Sequence, residues 1–155
     1  SEKTASLIAA CCQCGAISTA RDESIHLAMQ EVGMKVGISF QIMDDLFDYG
    51  LQDVGKPRRN DIRERKVTLP LIKALENGSR SEKLFIRRLM RKRRKSATDI
   101  DQIVWFVHEK GGIAAARDAM QEWADRALSD LRKLPVNEAA SDFEALVHYI
   151  ITRNR

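Results

Sequence analysis

Apolar side chains recur every three or four positions in each segment long enough to judge, and no stretch alternates apolar with polar. The pattern therefore predicts helices throughout. From Lys3 to about Ala20 the residues are mostly Ala, Ser, Cys and Gly, small side chains that let two helices approach closely, and a buried helix is expected. A second helix is expected from about Asp22 to Tyr49, with Ile25, Met29, Val32, Val36, Phe40, Met43 and Phe47 along its stripe. Gly33 and Gly37 lie inside it. Each costs about 1 kcal/mol against Ala in a helix interior, so they belong to tight packing or a bend.

The next seventeen residues, LQDVGKPRRNDIRERKV, read as an irregular, charge-dense connection, and connections of that length inside a compact domain are usually functional. Thr68 then opens TLPLIKALENG, with Pro70 in the first turn and Gly78 as the stop. Ser81 is expected to cap the basic helix that follows, and Asp99 with Gln102 to form a capping box for IDQIVWFVHEK, which Gly111-Gly112 ends. Ile113, Ala116, Met120, Trp123, Ala127, Leu131 and Leu134 mark a long helix ended by Pro135. Phe143, Leu146, Val147, Ile150 and Ile151 mark the last one. The expectation is a single all-α domain over residues 1–155, an antiparallel bundle of about six or seven helices, with 80–95 as a basic helix and connector.

Composition supports a globular chain: 155 residues, 44% hydrophobic and 31% charged, with 3 Pro, which excludes collagen-like, mucin-like and disordered classes. No apolar run reaches the roughly 18 to 20 residues of a membrane span. The first residues lack the basic start and cleavage site of a secretory signal, so a cytoplasmic location is expected. Cys11, Cys12 and Cys14 are an odd, crowded set that suits a reducing compartment. The net charge of +4 conceals a concentration, since RSEKLFIRRLMRKRRK at 80–95 carries nine Lys/Arg against one acid and leaves the rest of the chain negative.

Candidate chemistry gathers at Phe40-Gln41-Ile42-Met43-Asp44-Asp45-Leu46-Phe47-Asp48. On a helix, Asp44 and Asp48 are four apart and Asp45 and Asp48 three, so three carboxylates project from little more than one turn and repel each other. Gln41 shares that face. Hard carboxylate oxygens without His or Cys nearby favour Mg²⁺. Downstream, Lys56, Arg58, Arg59, Arg63, Arg65 and Lys66 bring cations to the same rim, and carboxylate-held Mg²⁺ faced by Lys and Arg supplies what is needed to clamp a diphosphate leaving group. A short acidic motif on its own is more often a solvated helix end.

The segment FQIMDDLFDYGLQDVGKPRRNDIRERKVTLPLIKAL resembles the second aspartate-rich region of the trans-isoprenyl diphosphate synthases, with the FQxxDDxxD, GKP, Asp and K-x-T-L-P landmarks in order. Lys3-Thr4-Ala5 is similar to the family's upstream KTA signature. Gly111-Gly112-Ile113, Leu134-Pro135 and the Tyr149 to Arg153 stretch resemble its later landmarks. The resemblance implies the all-α isoprenoid synthase fold and a Mg²⁺-dependent prenyltransferase that joins an allylic diphosphate to isopentenyl diphosphate, as a homodimer. By position it makes Asp44, Asp45 and Asp48 the second metal motif, with Asp44 the surest ligand and Asp48 acting through water. It gives Lys3, Lys56 and Lys66 to the allylic diphosphate, and Thr4, Phe40 and Gln41 to the substrate region.

Two departures bear on that. The family's other aspartate motif and the basic residues for isopentenyl diphosphate are absent, so the chain resembles the C-terminal half of a member and is expected to have little or no activity alone. Arg58-Arg59-Asn60 also stands where the family usually has a small glycine. A terpene cyclase would carry an Asn/Ser/Glu-type second motif, and a non-catalytic synthase subunit would more often have lost these aspartates.

The remaining features have plain readings. Cys11-x-x-Cys14 lacks a second pair or a nearby His and reads as small buried packing residues. His26, His108 and His148 lie on separate helices as surface or satisfied core groups. Trp105, Phe106 and Trp123 fit helix packing. The basic run reads as a solvated helix and connector, the rival being a module that binds nucleic acid or an anionic membrane.

Overall fold

A computed structural model of the chain describes residues 2–50, 59–135 and 138–152. Among them are eight helices and no strand: α1 (Glu2–Thr19), α2 (Glu23–Phe47), α3 (Asn60–Arg63), α4 (Leu69–Asn77), α5 (Arg80–Arg91), α6 (Ala97–Glu109), α7 (Gly112–Leu131) and α8 (Glu138–Thr152). They form two compact units. One comprises residues 1–43 and 119–154, the other residues 44–118.

In the first unit α1 and α2 run antiparallel and touch through their smallest residues. A Cβ placed on Gly37 would lie 2.6 Å from the Ala5 Cα, and one on Gly33 would lie 2.8 Å from the Ala9 Cα and 2.9 Å from the Cys12 Sγ. The two glycines thus serve tight packing, as their cost inside a helix implies. α7 is tied to α2 by the buried Ser39 hydroxyl, which donates to the Met120 carbonyl at 3.0 Å, and by the Lys35–Asp130 ion pair at 2.7 Å. Lys133 and Lys35 together hold the Asp130 carboxyl down at about 2. On α7, Ala124, Ala127, Leu128 and Leu131 are buried, and Val147 and Ile151 anchor α8.

Not all of α1 is buried. Among the described residues only Ala5, Ala9 and Ala16 are, whereas Leu7, Cys11, Cys14 and Ile17 are exposed and Cys12 is half-buried. The expectation of buried packing cysteines is corrected accordingly: one narrow stripe meets α2, and Cys11 and Cys14 fall off it. α7 also ends at Leu131, four residues before Pro135, the intervening residues forming a turn.

The second unit is built around α6, against which α4 and α5 pack. Its core holds Tyr49, Ile62, Leu71, Ile86, Leu89, Ile100, Ile103, Phe106 and Val107. Gly111 has φ 70 and turns the chain out of α6, a conformation that costs glycine little. Trp105 is 64% exposed, so of the three aromatics it does not serve packing, while Phe106 is buried and Trp123 lies under Arg126.

Both expected caps are displaced. Ser79, not Ser81, caps α5, its hydroxyl accepting from the Glu82 N–H while the Glu82 carboxylate accepts the Ser79 N–H. Ser96, not Asp99, caps α6, and Asp99 at the third helical position returns the bond in place of Gln102. Reciprocity explains both: a box needs the acid three residues after the hydroxyl. Glu82 also takes the Lys110 ammonium at 2.8 Å. Lys110 and then the Ser79 N–H lower its carboxyl from 4.5 to about 2. The folded value lies below the unfolded one, so this stabilisation is complete above about pH 4.5 and is lost as the pH falls toward 2. Melting temperatures of the parent and Glu82→Gln chains should converge across that interval, and parallel curves would refute the assignment.

Candidate functional site

α2 carries the FQIMDDLF stretch to its end and stops at Phe47, so Asp48 stands in the turn beyond the helix, where its own N–H and that of Tyr49 reach back to the Asp45 and Leu46 carbonyls. Asp44 is exposed and Asp45 half-buried in the last helical turn. The motif therefore divides into two helical carboxylates and one in the turn.

Asp48 has a defined task. Its carboxylate accepts the N–H groups of Asn60 at 3.1 Å and Asp61 at 3.0 Å, the first two residues of α3. The residue preceding that helix is Arg59, at φ 67, whose side chain provides no cap. Asp48 supplies the cap from twelve residues upstream instead, and so ties the second aspartate motif to the chain that re-enters beyond it. α3 also shows that part of the expected irregular connection is helical. Burial first, and then the neighbouring Asp61 charge, raise the Asp48 carboxyl above the ordinary value against the backbone N–H groups that lower it. Asp48→Ala should cost about 0.5–2 kcal/mol of stability, the usual range for a lost cap. Asp48→Asn keeps one acceptor and removes the poorly solvated charge, so it should cost less; equal losses in chemical denaturation would count against the capping role.

Beneath Asp48 lies a polar arrangement that sequence reasoning missed. Tyr49 is fully buried, its phenol hydrogen-bonded at 2.9 Å to the Thr68 hydroxyl, while the His108 Nε2–H donates to the Tyr49 carbonyl at 2.9 Å. Burial pushes the phenol up, and the Asp48, Asp45 and Asp61 carboxylates add to it. Thr68 precedes α4 as expected but makes no capping bond, because its hydroxyl is used on Tyr49. The only signal in the sequence was an aromatic next to the aspartates.

The cations are distributed unevenly. Lys66 pairs with Asp61 at 2.9 Å and with Glu64 at 2.8 Å, and those carboxylates hold its ammonium above the ordinary value. Arg59 pairs with Asp101. Lys56 and Arg58 lie outside the described residues. In the other unit, Lys3 is exposed and Thr4 half-buried in the first turn of α1. Because Ala5 faces Gly37 across antiparallel helices, Lys3 and Thr4 come to the same end of the pair as the half-buried Phe40 and Gln41. His26 and His108 use Nε2 on the carbonyls of Ala20 and Tyr49, and His148 is exposed.

Among the described residues no three His, Cys, Asp or Glu side chains converge on one point as a ready metal cage. The donor chemistry still fits Mg²⁺, which is commonly held by one or two carboxylates with the other positions left to water and phosphate oxygens. Asp44, exposed at the end of a helix, is such a donor.

A helical fold with this acidic helix end is the architecture of the isoprenoid synthases. Residues 1–107 match the family model described as Polyprenyl synthetase, and the chain belongs to that family. It is 33% identical over 150 residues to "Heptaprenyl diphosphate synthase component 2" of Bacillus subtilis (strain 168), covering 96% of this chain and 42% of that protein. A crystal structure of a decaprenyl diphosphate synthase from Rhodobacter capsulatus superposes with a TM-score of 0.88 at 34% identity, over 99% of this chain and 48% of that one. A polyprenyl synthase from Caulobacter crescentus CB15, crystallised with calcium and isoprenyl diphosphate, gives 0.87 at 31% identity, over 97% and 47%. The chain thus spans between about a third and a little under half of the length of the curated relatives it matches.

Proposed function

We propose that this chain carries the second aspartate half-site of a Mg²⁺-dependent trans-prenyltransferase, which joins an allylic diphosphate to isopentenyl diphosphate and works as a homodimer. The observation that carries the reading is the exposed Asp44 at the end of α2, one turn from Asp48, whose carboxylate caps α3. Family membership and a related synthase crystallised with a divalent cation and isoprenyl diphosphate support it.

In this proposal Asp44 and Asp45 hold Mg²⁺, and Asp48 positions the α3 segment while reaching the metal through water. When bound, Mg²⁺ neutralises charge developing on the departing diphosphate. The family resemblance gives Lys3, Lys56 and Lys66 cationic contacts to the allylic diphosphate. Thr4, Phe40 and Gln41 line the approach of the allylic substrate. Free Cys11, Cys12 and Cys14 support a cytoplasmic, reducing location for the enzyme. No helix among the described residues is long and apolar enough to cross a membrane.

Calorimetric titration with a non-hydrolysable allylic diphosphate analogue tests the reading. Binding should require Mg²⁺, and the chain alone should not incorporate isopentenyl diphosphate into longer products, since it holds one aspartate motif of two. Binding indifferent to Mg²⁺ would assign the diphosphate contact to the basic residues and overturn the metal reading.

A further inference from the structure

The sixteen residues 80–95 hold nine Lys/Arg, and α5, which their first twelve form, has two faces of opposite character. Ile86, Leu89 and Met90 are buried. At 3.6 residues per turn, Arg80, Leu84, Arg87, Arg88 and Arg91 fall within an arc of roughly 100° on the other side. All five are exposed, Leu84 at 60%, and Phe85 stands beside them at 48%. Glu82, the one acid of the helix, is turned to Ser79 and Lys110.

These arginines are uncompensated. Among the described residues, Arg80, Arg87, Arg88, Arg91, Arg93 and Arg94 make no ion pair. Behind them, Arg65, Arg87 and Arg91, with Lys83 and the single acid Glu76, line an open groove of about 650 Å³ whose apolar lining includes Leu71, Leu75, Ile86 and Met90. Apolar ground under unpaired guanidinium groups complements an anion attached to hydrocarbon.

We propose that the outer face of α5 and the turn after it dock on an anionic phospholipid bilayer. Arg87, Arg88, Arg91, Arg93 and Arg94 meet the headgroup phosphates, and Leu84 with Phe85 enters the boundary between headgroups and acyl chains. The contact is peripheral, since no described helix spans a membrane. A nucleic-acid backbone would satisfy the arginines but leave Leu84 and Phe85 in water, and on that observation lipid is favoured.

Co-sedimentation of the chain with vesicles tests it. Vesicles of phosphatidylcholine with one third phosphatidylglycerol should bind the chain, those of phosphatidylcholine alone should not, and binding should weaken with salt. A chain with Arg87→Gln, Arg88→Gln and Arg91→Gln should bind on the order of 100-fold more weakly. Leu84→Ser with Phe85→Ser, at two exposed positions, should leave the circular dichroism spectrum unchanged and weaken vesicle binding severalfold. Equal binding to both vesicle types would overturn the proposal. So would equal affinity for a DNA duplex combined with indifference to the Leu84 and Phe85 changes, which would make the surface a polyanion site.

Discussion

A Gly112→Ala chain is expected to lose about 3 kcal/mol of stability, at or above the upper end of ordinary overpacking. An added Cβ would stand 2.2 Å from the Pro70 carbonyl oxygen, 2.9 Å from the Ala74 Cβ and 3.1 Å from the Val107 Cγ1. The nearest of these atoms is main chain in the first turn of α4, and the pyrrolidine ring fixes φ there, so it cannot swing aside as a side-chain end would. Ala74 and Val107 are buried in the same core. Moving α7 away would therefore open the packing that α4 and α6 share. Gly15 is the internal control: it lies inside α1, and a Cβ on it meets nothing within 4 Å. Gly15→Ala should stabilise the chain by about 0.5–1 kcal/mol through helix propensity. Chemical denaturation of the two variants measures both signs. Equal stability of Gly112→Ala and parent would refute the packing described for the start of α7.

The same contrast shows what the amino-acid pattern reveals and what it hides. Helical period identified α1, α2, α4 and α6 nearly to their ends, and α7 and α8 by their stripes though not by their bounds, because an apolar stripe must face a partner wherever a helix packs. It did not separate Gly15 from Gly37, since both read as glycine within a helix and only the position of α1 against α2 distinguishes them. The caps were misplaced by two or three residues for a local reason. Ser79-Arg80-Ser81-Glu82 offers two hydroxyls, and only the one three residues before Glu82 completes a reciprocal pair. The cysteines were misjudged because small size suggested burial, whereas direction around α1 decides it.

The aspartate motif was legible as three neighbouring carboxylates, but the different settings of Asp44 and Asp48 were not. Spacing on an uninterrupted helix put Asp48 beside Asp44; in the structure the helix ends at Phe47, and Asp48 turns to the start of α3. That capping bond joins residues twelve positions apart, with the connection between them outside the described residues, and no periodic pattern records it. Tyr49 was hidden likewise: its burial depends on Thr68 and His108, which reach it from α4 and α6.

These different settings predict unequal losses of Mg²⁺-dependent diphosphate binding. As a direct ligand in the proposed site, Asp44 supplies one of few charged donors, and Asp44→Asn should lower binding by more than about 100-fold, beyond what altering a group behind the ligands typically costs. Asp48→Asn acts through water and through the placement of α3, so a loss on the order of 10-fold is expected. The ranking should reverse for stability: Asp44 is exposed and its replacement should leave the denaturation midpoint almost unmoved, whereas Asp48 is half-buried and caps α3. The two readouts distinguish a ligand from a positioning group, because damage to the fold would move both together. Calorimetric titration of the diphosphate analogue at saturating Mg²⁺, paired with denaturation of the same samples, measures each. A larger binding loss for Asp48→Asn than for Asp44→Asn would move the metal to the turn and overturn the assignment of Asp44 as the principal ligand.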